Sequence, residues 1–267
     1  MTALVPSPGA LGVIVVPTYD EVDNLAPIVA RLRAAAPDLD VLVVDDASPD
    51  GTGELADRLA AEDPAVHVLH RSGKAGLGAA YVHGFRHALA AGYPVVGEMD
   101  ADGSHQPEQL SRLRDALTGQ DGLPAADLAV GARWVPGGAV VNWSRHREWL
   151  SRGGNRYARA LLGMPVHDAT SGFRLFRRAA LEAIDLDGVR STGYVFQTDL
   201  VHRILAAGLR VREVPITFID RERGTSKMSP AVAAESLVRI TAWGVGERLR
   251  ELRAGSADRT GRRGPRP

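Results

Sequence analysis

Three short apolar runs constrain this chain most: Gly12-Val13-Ile14-Val15-Val16, Val41-Leu42-Val43-Val44 and Tyr93-Pro94-Val95-Val96-Gly97. Rich in β-branched residues and without the alternation of a half-wetted strand, they read as strands buried on both faces. All three end abruptly in polar residues: Pro17-Thr18-Tyr19-Asp20-Glu21, Asp45-Asp46-Ala47-Ser48-Pro49-Asp50-Gly51-Thr52, and Met99-Asp100-Ala101-Asp102. Helical spacing fills the intervals. Leu25, Ile28, Val29 and Leu32 mark a helix over 24–36 stopped by Pro37, a second pattern covers 51–61 before a strand at 66–69, and a third covers 76–90. This alternation predicts parallel crossovers, hence a single α/β domain with a mostly parallel central sheet flanked by helices. Ligands bind at the carboxyl ends of such strands, so three acid-bearing strand ends predict one shared pocket.

Beyond that core, the pattern predicts a helix over 107–117, a strand over 128–131 and a mobile loop from Trp134 to Trp149, followed by a helix from about Arg147 to Leu162. A helix near 178–184, a last strand over 211–218 and a final helix over 232–253 complete the reading. Lys+Arg and Asp+Glu are balanced at 32 each in 267 residues, so no global field points to nucleic acid. The absence of cysteine excludes a disulfide scaffold and thiol chemistry. No signal-peptide pattern and no apolar run of membrane-spanning length is found, so a soluble or peripheral protein is expected.

The acids carry the chemistry. Asp100 and Asp102, two residues apart at a strand end, suit a hard divalent cation, Mg²⁺ or Mn²⁺, that carries a diphosphate. His105 nearby is a poorer candidate, because a hard-oxygen site prefers carboxylates. The glycine-rich Gly73-Lys74-Ala75-Gly76-Leu77-Gly78 lacks the Gly-Lys-Ser/Thr ending of a P-loop, so it is weak evidence for a phosphate cradle, with Lys74 a modest candidate for diphosphate contact.

Val-Pro-Thr-Tyr-Asp-Glu, Val-Asp-Asp-Ala-Ser-Pro-Asp-Gly-Thr, Met-Asp-Ala-Asp and the downstream Asp220-Arg221-Glu222-Arg223-Gly224-Thr225-Ser226-Lys227 together resemble the inverting family 2 glycosyltransferases. Within them the motifs look most like those of the polyprenol-phosphate (dolichol-phosphate) mannose synthases. The resemblance runs from about Gly12 to about Trp243. It implies a GT-A-type catalytic domain over 12–247, leaving 1–11 as a short arm; 248–267, rich in Arg with Gly and Pro and without apolar period, reads as a disordered basic tail.

It also implies roles. Pro17, Tyr19, Glu21, Val44, Asp46, Asp100, Ala101, Asp102, Arg133, Arg221 and Lys227 would bind the nucleotide-sugar, with Asp46 accepting hydrogen bonds from base or ribose. Asp100 and Asp102 would hold the metal. Asp102, Arg221 and Lys227 would form the catalytic group, and Arg174 and Ser226 would contact an acceptor phosphate. The implied substrates are GDP-mannose and a polyprenyl phosphate lipid, with UDP-glucose or another UDP-sugar as the alternative donor. The implied place is the cytoplasmic face of the cell membrane, held by the Trp134–Trp149 loop or a membrane-protein partner.

The chain departs from relatives that glycosylate hydroxyls by lacking a later Gln-x-x-Arg-Trp, and it carries Ser104 where some relatives use Gln. A phosphate acceptor needs little help from a base, so Asp199, at the family's usual acid position, is read either as an orienting group or as a proton acceptor. A nucleotidyltransferase is disfavoured because no glycine-rich, lysine-containing opening follows the first strand. A binding module without turnover would make little use of Arg221 and Lys227.

Overall fold

The structure, a computed structural model, describes residues 4–120, 122–189, 195–221 and 237–246. Strands β1 (Gly12–Thr18) and β2 (Leu39–Asp45) are buried at every position. Val13 and Val15 enter one apolar cluster while Ile14 and Val16 enter the other, so an unbroken apolar run is what a strand with helices on both faces requires. Helix α1 (Val22–Ala35) buries Leu25, Ile28, Val29 and Leu32 in the second cluster. Helix α2 (Thr52–Glu62), β3 (Val66–His70), α3 (Leu77–Ala91) and β4 (Val95–Glu98) follow. Tyr81 and Phe85 of α3 fill the first cluster, on the opposite face of the sheet.

After a 3₁₀ turn at Pro107–Gln109 come α4 (Leu110–Thr118), β5 (Leu128–Ala132), β6 (Ala139–Val141) and α5 (Arg145–Leu162). Then come β7 (Arg174–Arg177), α6 (Arg178–Glu182), α7 (Val195–Ala206), β8 (Val211–Pro215) and β9 (Thr217–Ile219). Among the described residues one sheet has the order β3-β2-β1-β4-β7-β5-β8 and a second pairs β6 with β9. All partners in the large sheet are parallel except β7, which runs antiparallel between β4 and β5. Residues 237–246 are helical.

The mostly parallel α/β sheet agrees with the sequence reading, with three corrections. β7 lies in a segment read only as a motif. Its charged Arg174 and Arg177 hide a strand, because both guanidinium groups turn to protein oxygens. The supposed mobile loop from Trp134 to Trp149 contains β6 and the start of α5, and Trp134 and Trp143 pack edge to face at 6.1 Å. The last strand is two: Ile216 donates to the Ala132 carbonyl and accepts from the Ala139 amide, so the chain leaves the large sheet there and pairs with β6. Gly138 permits this, since a Cβ there would lie 2.6 Å from the Ala132 carbonyl oxygen and 2.7 Å from that of Arg133. The final helix is seen only over 237–246, and the basic tail lies outside the described residues.

The arm at 4–11 is tied to the domain. Asp40, 1% exposed, accepts from the Ser7 amide at 2.9 Å, from the Ser7 hydroxyl, and from Tyr93 Oη at 2.5 Å. No helix among the described residues is long and apolar enough to cross a membrane.

Candidate active site

β1, β2 and β4 end side by side, and the residues that follow them converge. Asp45 fixes the first two ends: it accepts from Thr18 Oγ1 at 3.1 Å and from Ser48 Oγ at 2.5 Å, while the Asp46 amide donates to the Thr18 carbonyl. This leaves Asp46, 4% exposed, facing Arg71 and the Ala75 amide at 3.3 Å. Lys74 Nζ lies 3.8 Å from the centroid of the Tyr19 ring, a cation–π contact. Tyr19, Asp46, Arg71 and Lys74 thus line one side of the strand ends, with an aromatic face, a carboxylate and two cations. Asp50 is structural, because it accepts from the amides of Val22 and Thr52 and so joins the starts of α1 and α2.

Glu21 accepts from Asn24 Nδ2 at 2.8 Å, and its own amide donates to Thr52 Oγ1 at 3.0 Å. Pro17 and Val44 are partners in the β1–β2 ladder, and Val44 sends its side chain into the core. Ala101 is likewise buried.

Beyond β4, Asp100 Oδ1 accepts from Tyr81 Oη at 2.9 Å. A Cβ at Gly172 would lie 3.3 Å from Asp100 Oδ2, so that glycine lets the 168–174 segment approach the carboxylate closely. Asp102 accepts from the Ser104 amide at 3.0 Å and pairs with Arg221 Nη2 at 2.8 Å. Burial, and then the neighbouring Asp102 charge, push the Asp100 carboxyl up to about 7, against the Tyr81 hydrogen bond and Arg221. Two converging carboxylates that resist ionising together are relieved by a cation.

No group of three or more His, Cys, Asp or Glu able to hold a metal occurs among the described residues. Asp100 and Asp102 supply two hard oxygen ligands, which fits an ion whose remaining ligands come from a diphosphate and water. A cleft of about 240 Å³ opens beside Asp102, lined also by Asp23, Asn24, Arg31, Gln106 and Asp220. Arg221 enters through the small sheet: the Ile219 amide donates to the Ser104 carbonyl, and the Asp220 carboxylate accepts from Arg147 of α5 at 2.6 Å.

One expected phosphate contact, Arg174, is corrected, and Arg133, read as a nucleotide-sugar contact, lies in a buried ion pair. Arg174 is fully buried; it pairs with Glu98 at 3.0 Å and donates to the carbonyls of Ala169, Ser171 and Gln197, so it ties β4 and β7 to α7 and does not reach an acceptor. Burial pushes the Glu98 carboxyl up to about 7, although Arg174 opposes the shift. Arg133, 6% exposed, grips Asp168 through Nε and Nη2, both at 2.7 Å, within a surround of Trp134, Trp143 and Phe218. It holds the 168–170 segment in place. Burial alone would raise the Asp168 carboxyl; Arg133 outweighs it and holds that carboxyl below the ordinary range.

His105 is buried between Phe173 and Phe218, and burial holds its imidazole down to about 4. Asp199 pairs with Arg203 one turn along α7 at 2.7 Å. Ser226 and Lys227 lie outside the described residues. Sequence reading passed over Arg71 and Asp168. Asp168 carried a signal in the dense polar run before β7, whereas the partnership of Arg71 with Asp46 spans 25 residues and has no local mark.

A mostly parallel sheet with acids converging at its carboxyl edge and one antiparallel strand inserted beside them defines a GT-A glycosyltransferase. Residues 13–185 match the model of glycosyl transferase family 2, and the chain belongs to that family. It is an enzyme of the glycosyltransferase class. It is 53% identical over 240 residues to the undecaprenyl-phosphate mannosyltransferase of Micrococcus luteus, covering 90% of this chain and 96% of the relative. It is equally 53% identical, over 241 residues, to the polyprenol monophosphomannose synthase of Mycolicibacterium smegmatis, covering 90% and 89%.

Solved structures share the fold at lower identity. Glucosyl-3-phosphoglycerate synthase of Mycobacterium tuberculosis, with Mn²⁺, UDP-glucose and phosphoglyceric acid, superposes with a TM-score of 0.65 at 17% identity, covering 88% of this chain and 81% of that one. A mannosyltransferase of Pyrobaculum calidifontis, with GDP-Man and Mn²⁺, gives 0.53 at 18% identity, covering 99% and 79%.

Proposed function

We propose that this enzyme transfers mannose from GDP-mannose to a polyprenyl phosphate, with inversion at the anomeric carbon, at the cytoplasmic face of the membrane. The observation that carries the reading is the meeting of Asp100, Asp102 and Arg221 at the strand ends, beside the Asp46–Tyr19–Lys74 group. The two relatives at 53% identity, whose names specify mannosyl transfer to polyprenyl phosphates, support the sugar and the acceptor. The Pyrobaculum neighbour, with GDP-Man and Mn²⁺, is consistent with the donor.

In this reading Asp46 accepts hydrogen bonds from the nucleoside and Tyr19 packs on it. Asp100 and Asp102 would hold Mg²⁺ or Mn²⁺, which would neutralise the charge developing on the departing diphosphate. Arg221, joined by Lys227, grips phosphate oxygens; a planar guanidinium can take two at once. A lipid phosphate oxygen forms the new bond to the anomeric carbon as the bond to the GDP oxygen breaks in line, and GDP leaves with the electron pair. The acceptor, with a second pKa of about 6, is already largely ionised near neutral pH, so no side chain need take its proton. Asp199, held by Arg203, is then an orienting group.

A donor panel tests this. Purified enzyme with undecaprenyl phosphate and Mn²⁺ is expected to make lipid-linked sugar from GDP-mannose at a kcat/KM at least roughly tenfold above that from UDP-glucose, GDP-glucose or UDP-galactose, the discrimination that one or two lost hydrogen bonds give. Preference for any UDP-sugar would overturn the donor assignment.

A further inference from the structure

α5 faces two ways. Its inner side builds the site: Arg147 holds Asp220, next to Arg221, and Asn155 donates to Thr170 Oγ1 at 3.0 Å beside the Arg133–Asp168 pair. Its outer side carries Trp149, 72% exposed, and Leu150, 48% exposed. The apolar strip does not end with the helix. Tyr157 Oη meets Thr241 Oγ1 at 2.6 Å, and Gly244 lies so close to Leu161 that a Cβ there would be 2.5 Å from Leu161 Cγ. Residues 237–246 therefore lie against α5, and they extend the strip with Val238, 69% exposed, and Val245.

Charge flanks this strip. α5 has five arginines and one acid, Glu148, which is already paired with Arg152 on the same helix, in a chain whose charges balance overall. At 100° per residue, Arg145, Arg152, Arg156 and Arg159 fall along one edge of the exposed face, and Leu150 and Tyr157 along the other, with Trp149 between.

We propose that this outward face of α5, continued by residues 237–246, is the surface by which the enzyme docks on an anionic phospholipid bilayer. The charge pattern selects that occupant: a concentrated arginine edge, in large excess over its single paired acid, beside an exposed Trp–Leu–Tyr strip matches headgroup phosphates above and acyl chains below. Trp134 and Trp143, in the loop that the sequence offered as an anchor, are covered by arginines: Arg133 at 5.4 Å from both rings, Arg152 over Trp134 at 4.4 Å and Arg147 over Trp143 at 4.0 Å. Docking this face brings the bilayer to the same helix that holds Asp220, the neighbour of Arg221, where a lipid-borne phosphate must arrive. The inference rests on the proposed lipid acceptor for its purpose and is measured without it.

The test is co-sedimentation of the whole chain with vesicles of equal phosphatidylglycerol and phosphatidylcholine, or of phosphatidylcholine alone, with no donor or acceptor present. Strong binding to the anionic vesicles, weakened by salt, and little to the neutral ones is expected. Trp149→Ser/Leu150→Ser, and separately Arg156→Glu/Arg159→Glu, are each expected to lower the partition coefficient about tenfold or more with the melting temperature unchanged. The charge-reversal variant decides the matter if the serine variant melts early.

Variants that bind like the parent, equal binding to both vesicle types, or a dimer that disperses on Trp149→Ser while vesicles go unbound would overturn the proposal, the last in favour of a second copy of the chain. Vesicle binding without any lipid-linked mannose in the donor panel would sink the functional reading alone. Product formed in detergent without vesicle binding would sink the docking face alone.

Discussion

Asp102 has two partners of opposite kind, the Ser104 amide, which fixes its direction, and Arg221, which shares its charge. Asp102→Asn keeps the shape but removes the charge that would hold a cation, so turnover is expected to fall roughly a hundredfold or more, as when a leading electrostatic stabiliser is lost. Initial rates across a Mn²⁺ series check this; recovery to parental turnover at saturating metal would contradict the assignment. Asp40 gives a prediction about stability. Its burial would raise its carboxyl, but the Ser7 hydroxyl and amide, Tyr93 and His67 together hold it below 3.8. A carboxyl depressed in the folded state stabilises fully above its unfolded pKa, and that stability is lost as pH falls through the folded one. Melting measured from pH 6 down to pH 3 should therefore decline less steeply in Asp40→Asn, which starts about 1–3 kcal/mol less stable because buried donors lose an ionised acceptor. Single residues were legible where they stood at strand ends, as with Asp46, Asp100 and Asp102. They were misread where burial decides, because nothing local in Ser171-Gly172-Phe173-Arg174 shows that the arginine faces Glu98 instead of solvent.

At the scale of elements, the parallel strands β1, β2 and β4 were plain in the sequence because an apolar run with acids behind it has few other uses in a globular fold. β6, β7 and β9 were not. They are three or four residues long, their pairing partners lie far along the chain, and each is held by context: β7 by β4 and β5, β6 and β9 by one another. The small β6–β9 sheet matters to the chemistry because it delivers Asp220 and Arg221, with the Asp220 amide donating to the Val141 carbonyl at 3.0 Å. Gly138→Ala would press a methyl group against the carbonyls of Ala132 and Arg133, backbone that cannot rotate away. The expected cost is about 1–3 kcal/mol, or a melting temperature lower by roughly 2–4 °C per kcal/mol. Because the strain falls where the end of β5 meets the small β6–β9 ribbon, kcat should fall as well. A melt and a rate on the same preparation check both, and an unchanged rate beside a lowered melting temperature would show that the ribbon does not position Arg221.

Across the whole molecule, Asp46, Tyr19 and Lys74 gather on one side of the strand ends, Asp100 and Asp102 follow β4, and Arg221 is brought to Asp102; the proposed function reads these as nucleotide, metal and phosphate contacts. The ordered motifs made that arrangement readable from the sequence, because each motif sits directly behind a strand and the strand ends meet along one edge of the sheet. What they left unreadable was the support behind it, the Arg133–Asp168 and Arg174–Glu98 pairs, since paired buried charges look in sequence like any other Arg and Asp. The proposed reaction is a single in-line displacement by a lipid phosphate, without an enzyme nucleophile. Its most direct test is the anomeric configuration, read by NMR, of the lipid product made from α-linked GDP-mannose and undecaprenyl phosphate with Mn²⁺. One displacement predicts the β-mannosyl phosphate lipid; an α-linked product would mean two displacements through a covalent intermediate on the enzyme and would contradict that proposal.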